Sequence, residues 1–175
     1  MKTQKTLITT LTLLALMGLQ SVHAAYAGAG VGYLIDFQEE LLTTHVGFQV
    51  AEKSSVSHNV EFEIAYADYS EMGGDIEILP IMVNYRIVNT KHSSYDLYFG
   101  VGVGLSIVDV DAFGYSDDDS VLTAQAMVGI DFKMSDKASI RLGYRYVYLD
   151  TVKVFGGELR DLDDSVVEIG LVVKF

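Results

Sequence analysis

Apolar residues alternate with small or polar residues along most of the chain from residue 25 onward. In residues 27–35 the apolar side chains share one face, while Gly28, Gly30 and Gly32 share the other. A period of two residues is that of a β-strand, and a helix does not produce it. The alternation recurs often enough to predict eight strands, at residues 27–35, 45–50, 60–67, 79–87, 97–106, 124–132, 140–148 and 167–175.

The connections between these strands also alternate in character. Three are compact and carry lysine: residues 52–58, 89–94 and 133–137. The other four, residues 36–43, 68–77, 108–120 and 150–164, hold 17 of the 24 acidic residues but only Lys153 and Arg160 as basic ones. Short turns at one end and longer loops at the other are typical of up-and-down outer-membrane barrels, with both chain termini at the short-turn end.

The face that carries the apolar residues is predicted to meet lipid. A soluble barrel would hide this face and would need its other face to meet water, but that other face is largely glycine and alanine with single charges. Small residues suit the crowded interior of an eight-stranded barrel. Aromatic residues are expected to form girdles at the two membrane interfaces. We place Tyr33, Tyr66, Tyr146 and Tyr148 in the outer girdle and Tyr85, Tyr95, Phe132 and Phe175 in the inner one.

Composition limits the function further. The 175 residues carry a formal charge of -12, which leaves no basic surface for nucleic acid. The mean hydropathy is nevertheless positive, at +0.27. The absence of cysteine excludes disulfides, thiolate metal sites and a thiol nucleophile.

The first 24 residues have the pattern of a secretory signal peptide. Lys2 and Lys5 precede an apolar run over residues 7–19, and Val22-His23-Ala24 resembles a cleavage site. We therefore expect residues 1–24 to be removed and residues 25–175 to form one barrel domain. Export also argues against chemistry that depends on ATP or nicotinamide cofactors.

Several segments resemble the small outer-membrane β-barrel domain of Gram-negative bacteria, a group that includes OmpA-like transmembrane domains and opacity-type surface proteins. They are residues 27–35 (AGAGVGYLI), 78–87 (ILPIMVNYRI), 98–105 (YFGVGVGL), 141–149 (RLGYRYVYL) and 166–175 (VVEIGLVVKF). The resemblance implies a monomeric, all-β, eight-stranded antiparallel barrel in the bacterial outer membrane. Its last strand looks like the signal read by the barrel-assembly machinery, carried by Val167, Ile169, Leu171, Val173 and Phe175. The sequence ends with the barrel, so a peptidoglycan-binding domain like that of full-length OmpA is not expected.

Charged residues on the inward face are predicted to form an ion-pair network. The parity of the strands places Asp131 beside Arg141, Arg145 beside Glu168, and Glu61 diagonal to Arg86, with Glu63 and Lys174 near them. Buried charges persist only when they are paired. The network is expected to fill the lumen and fix the register, and the alternative is a gate whose ion pairs exchange partners.

No enzymatic or metal site is predicted. A lipid A-modifying enzyme would need a Ser/His pair with an acid, but His92-Ser93-Ser94 falls in a short turn, away from outer-leaflet lipid A. His45 and His58 lie apart, which argues against a histidine metal site.

The acids of residues 108–120 lack EF-hand spacing and are expected to be solvated, mobile loop residues. They are Asp109, Asp111, Asp117, Asp118 and Asp119. Pro80 removes a ladder donor, so a bulge or strand start is expected there.

These observations predict a structural or surface-interaction role without a cofactor. The expected partners are outer-membrane lipid, lipopolysaccharide (with bridging Mg²⁺ or Ca²⁺ as one possibility), the assembly machinery and an unidentified host or surface ligand. The alternative function is a narrow porin or gated ion channel, and a lipid A-modifying enzyme ranks below both.

Overall fold

The computed structural model describes residues 25–71, 74–112, 115–160 and 162–175. The predicted signal peptide, residues 1–24, lies outside the described residues. Within the described part of the chain, no helix is long and apolar enough to cross a membrane. Ten strands are present there: β1 Ala25–Leu34, β2 Glu39–Lys53, β3 Val56–Glu71, β4 Gly74–Asn89, β5 Tyr95–Ala112, β6 Tyr115–Lys133, β7 Ala138–Leu149, β8 Val152–Val154, β9 Gly157–Leu159 and β10 Asp164–Lys174.

Eight of these strands close into a ring, which confirms the predicted barrel. The order around the ring is β1-β10-β7-β6-β5-β4-β3-β2, and neighbouring strands run antiparallel. The first and last strands close the ring from Tyr26 opposite Lys174 to Leu34 opposite Val166. Strands β8 and β9 pair only with each other and form a short hairpin, which we call the lid hairpin. The turns at residues 54–55, 90–94 and 134–137 share one end of the barrel with Ala25 and Phe175, and we call this the short-turn end.

The strands place their apolar side chains outside and their polar ones inside, as the alternation predicts. Large apolar side chains such as Phe62, Val103 and Ile169 are about half exposed on the outside. Glu61, Asn84 and Arg86 are buried inside. Of the residues assigned to the girdles, Tyr33, Tyr146 and Tyr148 are exposed at one end, and Tyr85, Phe132 and Phe175 at the other. Tyr95 is half-buried. Tyr66 does not fit the prediction, because it is only 4% exposed and adds almost no surface to the outer ring.

Three of the four acidic connections are shorter than predicted, because the strands continue into them, and the fourth, residues 150–164, keeps almost all of its predicted extent. Asp109 and Asp111 belong to β5, and Asp117, Asp118 and Asp119 belong to β6, so their assignment to a mobile loop is wrong. The physical reason is that the alternation does not stop at residue 107. The neighbours Val108, Val110 and Val121 point inward and pack in one apolar cluster. Strands β3 to β6 therefore extend beyond the shorter β1, β7 and β10, at what we call the long-strand end.

Pro80 lies neither at a bulge nor at a strand start, so that prediction is also wrong. It sits inside β4, opposite Ser106 of β5. Toward β3, pairing lapses between Ile64–Ile81 and Ala67–Ile78, and the register is the same on both sides of the gap. The missing proline N–H thus interrupts one ladder locally without shifting it. A register shift does occur between Gln49 and Ala51 of β2.

Candidate functional site: an ionic layer across the lumen

Charged side chains from five strands meet inside the barrel in what we call the ionic layer. Each comes from an inward position of β3, β4, β6, β7 or β10. Asp131 is part-buried, with a side chain 13% exposed, and the rest are almost fully buried. The members are Glu61, Glu63, Arg86, Asp131, Arg141, Arg145 and Glu168.

One half of the layer is built on Glu61 and Asp131. Arg86 forms an ion pair with Glu61, and Arg141 donates from Nε to Asp131 Oδ1 at 2.9 Å. Longer contacts cross-link the two pairs: Arg86 Nη2 lies 3.6 Å from Asp131 Oδ2, and Arg141 Nη2 lies 3.7 Å from Glu61 Oε1. The Tyr26 hydroxyl donates to Glu61 Oε1 at 2.7 Å. Each carboxylate therefore faces two guanidinium groups.

The other half is built on Arg145, which bridges two carboxylates. It forms an ion pair with Glu168 and donates from Nη1 to Glu63 Oε1 at 2.5 Å. The same nitrogen donates to Gln125 Oε1 at 3.0 Å. Gln125 Nε2 in turn donates to Asn84 Oδ1 at 2.7 Å and to Glu63 Oε1 at 3.2 Å. Amide side chains thus satisfy hydrogen bonds that the charged groups leave open.

Tyr98 and His45 fill the space between the charged groups. The Arg86 guanidinium carbon stands 3.8 Å from the centre of the Tyr98 ring, and the Arg141 carbon stands 5.2 Å from it. These are cation–π distances. His45 Nε2 lies 3.1 Å from Arg141 Nη1. Because arginine only donates, this contact requires His45 to accept through an unprotonated Nε2.

The sequence anticipated the charged members but not the polar residues that complete the layer. The structure brings Asp131 to Arg141, Arg86 to Glu61 and Arg145 to Glu168, and it adds Glu63 as a second partner of Arg145. Lys174 lies outside the layer, because it sits at the short-turn end, 48% exposed and 3.8 Å from Asp96. The residues missed were Tyr26, His45, Asn84, Tyr98 and Gln125. Their inward parity was available as a signal in the sequence.

Glycine makes room for these large side chains. A Cβ added at Gly143 would lie 2.7 Å from Glu168 Oε1, and it would also press on the Tyr98 hydroxyl. At Gly100 it would lie 2.9 Å from Cγ of Arg86. The glycine-rich inward face of β5 and the single inward glycine of β7 are thus explained by the bulk of the side chains around them.

The ionic layer separates two spaces of different character. Toward the short-turn end lies a cavity of about 230 Å³ with mixed walls, in which the polar residues include Ser57, Asn59 and Asp96. Toward the long-strand end lies a cavity of about 40 Å³ with largely apolar walls, which we call the outer chamber. Arg86 and Arg141 border the first cavity, and Arg145 borders the second. The layer therefore closes the lumen between them.

One group inside the layer has the composition of a metal site. Ligand atoms of His45, Glu61 and Glu63 lie within 4.8 Å of one another. The sequence had argued against a histidine metal site because His45 and His58 lie apart. Both carboxylates are already paired with arginine, and Arg141 contacts the histidine. A divalent cation placed there would face three guanidinium charges, so this donor set suits an ion-pair network rather than a metal ion.

The remaining candidates lie away from the layer. His92-Ser93-Ser94 forms the turn between β4 and β5, where the His92 ring stacks on Tyr95 with 4.5 Å between ring centres. In the last strand, the outward residues of the predicted assembly signal are exposed, with Val173 half-buried: Val167, Ile169, Leu171, Val173 and Phe175.

Asp109 and Asp118 lie directly opposite each other on the outside of β5 and β6. On the other face of β6, Asp117 and Asp119 accept hydrogen bonds from the lid hairpin.

Solved structures with similar folds are known. Neisserial surface protein A superposes with a TM-score of 0.63 at 16% identity, covering 87% of this chain and 95% of that one. The N-terminal β-barrel domain of Pseudomonas aeruginosa OprF gives 0.60 at 11% identity, covering 89% and 100%. The outer membrane enzyme PagL gives 0.57 at 9% identity, covering 85% and 98%.

No curated protein sequence matches the chain. The model of the outer membrane protein β-barrel domain family matches residues 6–175. The closed eight-stranded ring, its apolar exterior and this match agree, and the chain belongs to the outer membrane protein β-barrel domain family and resides in the bacterial outer membrane.

Proposed function

We propose that this protein is a closed structural and surface-interaction barrel whose acidic extracellular rim holds lipopolysaccharide through shared divalent cations. We orient the barrel with its short-turn end in the periplasm and its long-strand end outside the cell. The proposal rests on a row of four carboxylates that crosses four adjacent strands.

The row consists of residues directly opposite one another in register. Asp68 of β3 pairs with Glu77 of β4, Glu77 pairs with Asp109 of β5, and Asp109 pairs with Asp118 of β6. All four occupy outward positions, since Ile107, two residues before Asp109, is 41% exposed on the outer face. The row therefore lies just beyond the apolar belt, at the level expected for lipid headgroups.

Such an arrangement is electrostatically unfavourable by itself. Residues directly opposite in an antiparallel pair have Cα atoms about 4.5–5.5 Å apart, and like charges there are destabilising. Divalent cations such as Ca²⁺ take several carboxylate oxygens and complete their shell with other oxygen ligands. Phosphates of lipopolysaccharide would supply those ligands, which turns the repulsion into a link between barrel and lipid.

The test compares melting of the protein in lipopolysaccharide-containing bilayers with Mg²⁺ or with a chelator. The variant Glu77→Gln/Asp109→Asn removes the two central carboxylates. The control Glu52→Gln/Asp136→Asn removes two exposed acids at the periplasmic end. We expect chelation to lower the melting temperature of the wild type and the control, and to leave that of the rim variant nearly unchanged. An equal response in all three proteins would refute the proposal.

A narrow channel is the second candidate, and one observation favours it. Within the ionic layer, Glu61 Oε2, Arg86 Nε and Nη2, and Arg145 Nε have no hydrogen-bond partner among the described residues. Groups with open hydrogen-bonding capacity can take new partners, which is what a gate requires. We nevertheless favour the closed barrel, because opening would separate buried ion pairs.

We propose no enzymatic activity. His92 and its neighbouring serines lie at the periplasmic end, on the opposite side of the ionic layer from the extracellular rim. Lipid A in the outer leaflet would be reached from that rim. Deacylation of purified lipopolysaccharide that is lost in His92→Ala would overturn this assignment.

We also propose an oligomeric state and two further partners. A closed ring leaves no open barrel edge for lateral pairing, which favours a monomer. The outward apolar residues of β10, which end in Phe175, are proposed as the contact read by the barrel-assembly machinery. An extracellular host or surface ligand would meet the acidic rim first.

A further inference from the structure

The walls of the outer chamber are more apolar than its position in the barrel requires. It lies on the extracellular side of the ionic layer, where an open barrel mouth would meet water. Its walls are instead largely apolar and include Leu34, Leu41, Ala65, Ala67 and Ile78. About 40 Å³ of space remains between them, and the small side chains of Ala65 and Ala67 contribute to it.

The lid hairpin packs beside this chamber, and Leu162, which follows the hairpin in the chain, lines it. Its side chains Val152 and Val154, together with Leu162, are at most 9% exposed and pack into the apolar cluster of the long strands. Among the described residues, β8 and β9 form a two-stranded sheet that is separate from the ladders of the barrel. Two exposed contacts tie its backbone to β6: the Lys153 N–H donates to Asp119 Oδ2 at 2.7 Å, and the Phe155 N–H donates to Asp117 Oδ2 at 2.6 Å. The lid can therefore lift without breaking a barrel strand.

One buried donor at the edge of the chamber lacks a partner among the described residues. Arg145 borders the chamber, is 3% exposed, and its Nε has no hydrogen-bond partner among the described residues. Both terminal nitrogens of Arg145 are occupied by Glu63 and Glu168. A third carboxylate at this point would be repelled by these two, whereas an uncharged oxygen would accept the hydrogen bond without that cost.

We propose that the outer chamber binds one short, unbranched apolar chain that carries an uncharged oxygen at its inner end. The oxygen accepts from Arg145, and the chain takes the place of the Leu162 side chain when the hairpin and the segment that follows it lift. Water is a poor occupant of the upper chamber, because a buried water needs two to four polar partners and the walls offer almost none. This site goes beyond the proposed function and does not depend on the acidic rim.

The test is a titration of the full barrel in lipid nanodiscs with 1-hexanol, followed by methyl NMR. Leu34, Leu41 and Ile78 report on the chamber, while Leu97, Leu105 and Leu142 point outward and report on partitioning into the bilayer. Hexanoate at a pH where it is ionised supplies the charged counterpart. We expect a saturable shift of the chamber methyls with 1-hexanol and none with hexanoate, while the outward methyls respond without saturation.

Two variants that fill the chamber separate binding from partitioning. Ala67→Leu adds bulk inside the chamber, Ala65→Val adds less, and Ala126→Leu adds the same bulk as the first on the exposed outer face of β6. Heat-modifiable gel migration verifies that each variant is folded. The saturable shift should vanish in the folded filling variants and persist in Ala126→Leu. The proposal is overturned if the chamber methyls of the wild type show no saturable shift, if hexanoate binds as well as 1-hexanol, or if a folded filling variant retains the shift.

Discussion

Removing Arg145 should be among the most damaging single changes in the barrel. This side chain is the ion-pair partner of both Glu63 and Glu168, whose side chains are at most 5% exposed. Arg145→Ala leaves both carboxylates buried without that partner. Breaking a buried pair by deleting one member costs about 3–5 kcal/mol, which corresponds to a roughly hundred- to several-thousand-fold change in the unfolding constant.

The assay is equilibrium unfolding of the refolded barrel in lipid vesicles, followed by circular dichroism and gel mobility. Arg160→Ala is the matched control, because it breaks an ion pair with Glu158 in which the two side chains are 68% and 45% exposed. Exposed pairs contribute about 0.2–1 kcal/mol. The triple variant Arg145→Met/Glu63→Gln/Glu168→Gln removes the charges together and should recover most of the loss, since neutral replacement of a whole buried group is often tolerated. Equal stability of Arg145→Ala and Arg160→Ala would refute the reasoning.

Two further predictions concern the packing of the lumen and the assembly of the barrel. Gly143→Ala should destabilise the barrel by about 1–3 kcal/mol because the new methyl group crowds Glu168 and Tyr98, whereas Gly157→Ala in the lid hairpin, where the nearest atom is 3.5 Å away, should change unfolding little. Deletion of Phe175 should reduce the amount of barrel assembled in cells while the refolded protein melts near the wild-type temperature. Phe132→Ala, an exposed aromatic residue at the same end, serves as the control for that deletion. Assembly of the shortened chain at wild-type levels would contradict the assigned role of the last strand.

The eight barrel strands could be predicted from the sequence because membrane strands sort residues by face. The alternation that ends in Phe175 needs no tertiary information to interpret. The same alternation extends β5 beyond its predicted end, since Val108-Asp109-Val110-Asp111 continues it into the acidic segment. High local charge favoured a loop there. The inward valines pack beneath the lid hairpin, and their burial favours a strand.

The arrangement of the lumen could be predicted only in part. Strand parity and register bring Asp131 to Arg141, because these residues lie directly opposite each other. The place of Tyr98 between two arginines depends on side chains reaching across the barrel, which no neighbouring-strand rule describes. The lid hairpin and the outer chamber could likewise not be predicted from the sequence, because they arise from packing between segments far apart in the chain. Pro80 was misjudged because the barrel tolerates a local gap in one ladder without a shift in register.

The central claim is that the ionic layer closes the lumen, and single-channel recording in planar bilayers tests it most directly. The refolded wild-type barrel is predicted to give no discrete conductance steps, because the buried pairs of Arg86, Arg141 and Arg145 occupy the lumen between the two cavities. Reproducible steps from the folded protein, with an amplitude that changes in Arg145→Ala, would contradict the claim and would establish the layer as the gate of a narrow channel.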